Sequence, residues 1–363
     1  MRLRLLIVLL SVVFLLAAAV IMPCVMRAGT ALPGYKVLAP IQHGNLTIFP
    51  VVAAHSHSTQ QFLTLDEGLR SGEVVVSESG SVSPLVRPRN RESTHLPIHD
   101  GAQVNQLVLV NNSKRPLILL AGEIVTGGKQ DRVIAKDRIV PAESDPIDLG
   151  VFCVEPGRWT AMKSNFGGFS TAMAQPAVRG RAMSDKDQQK VWAGVRNSQA
   201  QLAGRLSAPA AQEVTGVSSY ARVMDNKEVK QHVDAVAAPI ERDYSSVIKR
   251  LRDQNAVGVV VAVNDDIIWA DLFASTDLLQ KYWPKLVRSY AAEAIVSRSK
   301  GHQPDAAAAE QFLANTEGKR EVVESEPGLY RHTEISGDGF KAFELTALLP
   351  RTGFDLHVAK MAE

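Results

Sequence analysis

The stretch from Leu117 to Trp159 concentrates side chains that could do chemistry. Glu123 ends an apolar run, a glycine turn at Gly127-Gly128 leads into Lys129, Gln130, Asp131 and Arg132, and a second apolar run closes on Cys153, Glu155, Arg158 and Trp159. Backbone amides in a glycine turn beside a lysine can cradle an anion. Two carboxylates at strand ends can divide into an acid and a base when burial raises the pKa of one. On this pattern Glu123 and Glu155 are the catalytic candidates. Lys129, Gln130, Arg132, Arg158 and Trp159 are the candidates for holding a small polar or anionic ligand, with Trp159 able to stack on a sugar or a base.

Spacing narrows these options. A phosphate loop needs glycine, four residues and then Gly-Lys-Ser/Thr. Here five residues separate Gly122 from Gly128-Lys129, and Gln130 stands where the magnesium-binding hydroxyl belongs. The turn therefore reads either as a hairpin with solvated Lys129 and Arg132 or as a polar-ligand site of another kind. A glycosidase-like pair would hold its carboxyls about 5–10 Å apart. The alternative is that Glu123 and Glu155 pair with Arg132 or Arg158 as structural ion pairs. Cys153, between Phe152 and Val154, reads more simply as a small buried residue than as a nucleophile. His55 with His57, and His95 with His99, lack the cysteine or carboxylate company of a zinc site, so no metal is expected. No Gly-x-Ser-x-Gly elbow supports serine catalysis, and no cofactor is expected.

Residues 35–52 predict a hairpin through His43-Gly44-Asn45. Thr64 predicts the cap of a short helix stopped at Ser71-Gly72, with the β-branched run Glu73–Glu78 after it. Residues 79–103, with Pro84, Pro88 and Pro97, read as a long surface loop. Val104–Val110 and Leu117–Val125 are expected as antiparallel neighbours. Ser184 is expected to cap a helix carrying Trp192, Val195 and Leu202, and the apolar spacing from Val229 to Leu251 predicts a helix kinked or broken at Pro239. Val257–Phe273 gives the best hairpin in the chain, followed by a helix from Ser275 or Thr276 to Ile295 and a short helix over 304–315. Strands over 320–325, 330–335 and 340–349 end the chain. Strands at both ends without βαβ alternation predict an α+β fold, mainly antiparallel sheet with several packed helices.

The N-terminus predicts an address. Arg2 and Arg4 precede an uninterrupted apolar run from Leu5 to Met22, with no further charge until Arg27. About 20 apolar residues span a bilayer, so residues 1–31 read as a signal anchor, or as a signal peptide cleaved near Gly29-Thr30-Ala31. The expected location is the cell inner membrane, with a single pass through residues 5–26 and an extracytoplasmic domain, or the periplasm if the leader is removed. The formal charge of +2 includes three arginines and no acid in residues 1–31, which leaves −1 for the remainder. Such a domain has no field to gather phosphate backbones, so nucleic acid is not an expected partner. Only Cys153 lies beyond the leader, and the fold must rest on its core. The 363 residues, 45% of them hydrophobic, suffice for one large domain over 35–358 or for two sub-domains split near 180–225.

Five segments carry a resemblance: Gly44–Val51 (GNLTIFPV), Phe62–Glu78 (FLTLDEGLRSGEVVVSE), Leu119–Arg132 (LLAGEIVTGGKQDR), Val151–Trp159 (VFCVEPGRW) and Asp271–Ala294 (DLFASTDLLQKYWPKLVRSYAAEA). With these motifs the chain resembles the ARG and rhodanese-phosphatase superfamily-associated protein domain family. The resemblance implies handling of nucleotide- or ADP-ribose-like ligands, through the association with ADP-ribosylglycohydrolase and rhodanese-phosphatase domains. By motif position it makes Glu123, Gly128, Lys129, Gln130, Arg132, Cys153, Glu155, Arg158 and Trp159 a shared polar cluster. Three functions stay open: a membrane-tethered domain binding a small polar ligand, a hydrolase of glycosidic or phosphate bonds using Glu123 or Glu155, and an envelope protein-interaction module presenting the apolar helix around Trp283.

Overall fold

The hairpin with the strongest sequence signal lies in the middle of the structure, a computed structural model that describes residues 34–78, 105–157, 165–166, 172–251, 253–297 and 304–363. Its strands, Asn255–Val263 and Asp266–Phe273, turn through Asn264, which adopts the left-handed φ of 59° that asparagine tolerates. On one side Leu46–Ala53 pairs with the hairpin and carries Tyr35–Val37 and Ile41–His43. On the other come Asp355–Ala362, Phe340–Ala347, Tyr330–Gly337 and, at the edge, Gly318–Glu326. Among the described residues this is a nine-stranded sheet, antiparallel throughout.

Two smaller sheets complete the β structure. A seven-stranded sheet runs in the order Asn165–Phe166, Val74–Glu78, Gln106–Asn111, Ile147–Cys153, Arg132–Ile134, Glu123–Val125, Ala172–Met173. A three-stranded sheet joins Arg138–Val140, Leu117–Leu119 and Leu63–Thr64, the last pair in parallel. The fold is therefore α+β with mainly antiparallel sheet. Thr64 closes a capping box on the helix Leu65–Ser71, and Gly72 ends that helix at φ 71°, an arrangement in which the cap contributes about 1 kcal/mol.

The helix Thr276–Val296 is the pivot. Ser275 caps it, its Oγ accepting from the Leu278 amide at 3.0 Å. Leu279, Tyr282, Leu286, Val287, Tyr290 and Ala291 are all buried, so apolar residues surround most of its circumference, as expected of a helix enclosed by other elements. Tyr244, on the helix Lys227–Arg250, stacks on Trp283 at 4.2 Å between ring centroids. The apolar face around Trp283 is thus spent inside the core.

Several expectations need correction. Leu117–Val125 is not one strand: it breaks at Leu120–Gly122, and its halves enter different sheets. The physical cause is that side chains take the amides a ladder would use. Leu120 N donates to Glu123 Oε2 and Ala121 N to Asp137 Oδ1, both at 2.7 Å. Gln106–Asn111 consequently pairs with Val74–Glu78 and Ile147–Cys153 instead. Ser184 falls in a π-helical turn, Arg181–Asp185, and Asp187 caps the following helix Gln188–Ala203 after Lys186 turns left-handed at φ 53°. Of the kink or break expected at Pro239, the break does not occur: Pro239 lies inside one continuous helix, Lys227–Arg250. A fourth C-terminal strand, Asp355–Ala362, was not anticipated.

The expectation of a single-pass inner-membrane protein is also corrected. Among the described residues no helix is long and apolar enough to cross a membrane. Residues 5–26, which carried that expectation, and the expected loop over 79–103 lie outside the described residues.

Candidate functional site

The segments around Gly128 and Glu155 do come together, and they hold each other. Glu123–Val125 and Arg132–Ile134 form an antiparallel pair, so the glycine turn is the loop of a hairpin. Gly127 N donates to Asp131 Oδ1 at 3.1 Å, Asp131 N to Glu155 Oε2 at 3.0 Å, and Gln130 Nε2 to the Glu155 carbonyl at 3.1 Å. Lys129 contributes its amide to Glu78 Oε1 at 2.7 Å. Arg132 is buried on a strand opposite Cys153, whose thiol burial pushes up in pKa. Arg158 and Trp159 lie outside the described residues. None of Glu123, Lys129, Gln130, Arg132 and Glu155 lines any of three cavities, of ≈ 1130, ≈ 480 and ≈ 70 Å³, formed by the described residues.

Glu123 belongs to another group. It is fully buried; Lys285 Nζ donates to its Oε1 and also to Asp66 Oδ2, the latter at 2.8 Å. Burial raises the Glu123 pKa, with Lys285 opposing.

The centre of the molecule holds a second buried network that the sequence did not point to. His357 Nδ1 meets Asp137 Oδ2 at 2.5 Å, and His357 Nε2 meets Asp271 Oδ1 at 3.0 Å. Arg179 Nη1 donates to Asp271 Oδ2 at 2.9 Å, and Arg179 Nε to the Ala121 carbonyl at 2.8 Å. Tyr290 also donates to Asp271 Oδ2. The guanidinium lies 4.8 Å from the Trp269 ring centroid. Burial disfavours the imidazolium, yet Asp137 and Asp271 outweigh it and raise the His357 pKa to about 9. Burial likewise works against the Asp271 carboxylate, and Arg179 and His357 override it and hold its pKa well below the usual range. Two carboxylates against two cations give a neutral, enclosed set. It ties the turn at Ala121 to the helix of Arg179 and to two strands of the large sheet. The set acts as a structural pin: Asp137, Asp271 and His357 are all 0% exposed, and among the described residues none of them lines the three cavities.

Open chemistry sits on the pivot helix instead. Lys285, Ser289 and Glu293 are spaced at i, i+4 and i+8, so they form one polar stripe along its side. The stripe faces the segment 172–177. Ser289 Oγ donates to the Ala174 carbonyl at 2.7 Å, while Gln175 Nε2 and Ala177 N donate to Glu293 Oε2 at 3.1 and 2.9 Å. Gln175 is itself fixed: its Oε1 accepts from Ser198 Oγ at 2.6 Å, and its amide donates to the Tyr220 hydroxyl at 3.0 Å. Lys285 borders a cavity of ≈ 480 Å³ at one end of the stripe, and Glu293 borders a cleft of ≈ 1130 Å³ at the other.

This cleft is lined by the helix Gln188–Ala203, the segment 175–185, the end of the pivot helix and the turn of the central hairpin. Gly194 and Gly204 keep its helical wall low, and Asn197 and Gln201 stand on that wall with exposed side chains. Much of the charge in the wall is self-paired: Arg181 with Asp185 at 2.8 Å, and Lys341 with Glu363 at 3.0 Å. Glu293 differs. Burial raises its pKa despite the donors from Ala177 and Gln175, and its Oε1 has no protein partner among the described residues. Sequence reasoning missed Glu293. The signal was a Lys-x-x-x-Ser-x-x-x-Glu spacing inside an otherwise apolar helix.

Fold and site together define an α+β domain with mainly antiparallel sheets, a pinned charged core and an open polar cleft. The chain belongs to the ARG and Rhodanese-Phosphatase-superfamily-associated Protein domain family, whose sequence pattern matches residues 34–359. No curated protein and no solved structure matches it.

Proposed function

We propose that this domain binds a small polar ligand, and that it does so in the cleft of Glu293 rather than at the loop of Lys129 and Arg132. The observation carrying the reading is a carboxylate with one oxygen held by two donors and the other unclaimed, on the wall of a cleft of ≈ 1130 Å³. Ligand sites are concave, with a few polar groups fixed in advance, and Gln175, Ser198 and Tyr220 supply that fixing. The hydrolase alternative needs an accessible carboxyl pair. Glu123 and Glu155 are 0% and 3% exposed and engaged with backbone amides, so binding is the better-supported function.

Thermal unfolding with a panel of amino acids, sugars and nucleotides tests the reading. A ligand at 100 times its Kd stabilises the folded state by about 2.7 kcal/mol, and the expected outcome is a rise in Tm with at least one class that Glu293→Gln abolishes. A panel that leaves Tm unmoved at millimolar concentration sinks it.

A further inference from the structure

The cleft also carries a charge pattern that selects among polar ligands. Arg205, exposed at its rim, donates from Nη2 to the Val296 carbonyl at 3.2 Å and has no carboxylate partner among the described residues. That bond satisfies an orphan carbonyl at the end of the pivot helix and uses one of the five guanidinium N–H donors. Val296 stands three residues beyond Glu293 on the same helix, a rise of about 4.5 Å. The guanidinium is therefore anchored to a backbone carbonyl within one helical turn of the residue that carries the unclaimed oxygen, and both residues line the cleft together with Asn197 and Gln201. A purely anionic ligand would meet Arg205 but be repelled by Glu293, and a purely cationic one would meet the reverse.

We propose that this cleft, taken as the ligand site, recognises a zwitterionic small molecule, an amino acid or a dipeptide, with its ammonium on Glu293 Oε1 and its carboxylate on Arg205. The inference rests on the cleft reading above and adds the substrate class. Both contacts are charge-assisted hydrogen bonds, the strong kind, and the burial around Glu293 makes an unmet charge there costly, so the carboxylate favours a cation as its missing partner. The volume exceeds what a free amino acid fills, which leaves room for a second residue.

Calorimetric titration of the full chain with L-alanine, L-alanyl-L-alanine, propionate and ethylamine tests the pairing. Either zwitterion is expected to bind at least ~10-fold more tightly than propionate or ethylamine, since each half-molecule lacks one charge-assisted contact. Glu293→Gln is expected to weaken zwitterion binding by ~10-fold or more without weakening propionate binding, since it also removes the repulsion of the anion; Arg205→Gln should weaken the zwitterions likewise without weakening ethylamine binding. Should a variant fail to fold, the wild-type comparison of whole and half ligands still decides. Propionate binding as tightly as L-alanine, or both variants binding like wild type, overturns the proposal. Sugars or nucleotides that bind through Glu293 while both zwitterions are silent overturn the class and leave the cleft reading standing. Silence of all four probes and of the wider panel removes both.

Discussion

The Asp137–His357–Asp271–Arg179 network and the Glu293–Arg205 cleft use the same kinds of side chain to opposite ends. In the network each carboxylate meets a cation, and Asp137, Asp271 and His357 are 0% exposed. In the cleft, among the described residues, Glu293 meets only neutral donors on one oxygen, and Arg205 meets only a carbonyl. The electrostatics follow from that difference: Asp271 is held low in pKa by Arg179 and His357, whereas Glu293 is pushed up by burial that no cation offsets. A closed set of charges positions a fold, and a set with an unclaimed oxygen beside a cavity is what a ligand can complete.

The largest effect is expected at the network. Asp271→Ala strands the Arg179 guanidinium and the His357 imidazolium without their shared carboxylate. A loss of about 3–5 kcal/mol is expected in urea unfolding, the cost of an uncompensated buried charge; a loss below 1 kcal/mol would show that the network pins nothing. The pH dependence comes next. The His357 pKa is about 9 when folded against 6.5 for the free side chain, so its contribution is fully present below pH 6.5 and is lost as pH rises through about 9. That amounts to roughly 3 kcal/mol of linked stability, measurable as a fall in unfolding free energy between pH 6 and 9.5, and absent in His357→Gln. Asp137, lowered by His357, acts at the other end: its contribution is present above the ordinary aspartate range and is lost as pH falls below it.

A smaller effect concerns the turn that the network grips. Gly122 has φ 93°, and a Cβ there would lie 2.7 Å from both Cγ and Cδ of Arg179. Gly122→Ala is expected to cost about 1–3 kcal/mol through strain and displacement of Arg179, read from the urea midpoint; an unshifted midpoint would refute the close packing. The smallest stability change is expected in the cleft. Glu293→Gln can still accept from Ala177 and Gln175 through its amide oxygen and removes a charge that burial disfavours. Its unfolding free energy should stay within about 0.5 kcal/mol of wild type, and a loss as large as that of Asp271→Ala would make Glu293 a second structural pin.

Legibility in the sequence followed the range of the interactions. The Thr64 cap and the Asn264 hairpin rest on contacts a few residues apart, and the α+β class follows from the order of strand and helix segments along the chain, so these could be read directly. Leu117–Val125 was misjudged because its break is imposed by Asp137 and Glu123 taking backbone amides, which strand propensity does not register. The network escaped notice because its partners are far apart in the chain: Asp137 and His357 are 220 residues apart, and His357 lies on the strand not anticipated. Glu293 was hidden for the same reason, since its donors come from Gln175, 118 residues earlier, and Ala177. The Lys129 loop attracted attention by its composition, and what it forms is a hairpin turn bonded to Glu78 and Glu155. The family stretch Asp271–Ala294 supplies Asp271 and Tyr290 to the network and Glu293 to the wall of the cleft.

The two regions are compared most directly by following the Ala177 amide, which donates to Glu293 Oε2, and the His357 ring by NMR while L-alanyl-L-alanine is added. A saturable shift at Ala177 with His357 unmoved, lost in Glu293→Gln, is the predicted result. A flat response at Ala177, or a shift that persists in Glu293→Gln, would contradict the assignment of ligand binding to the cleft.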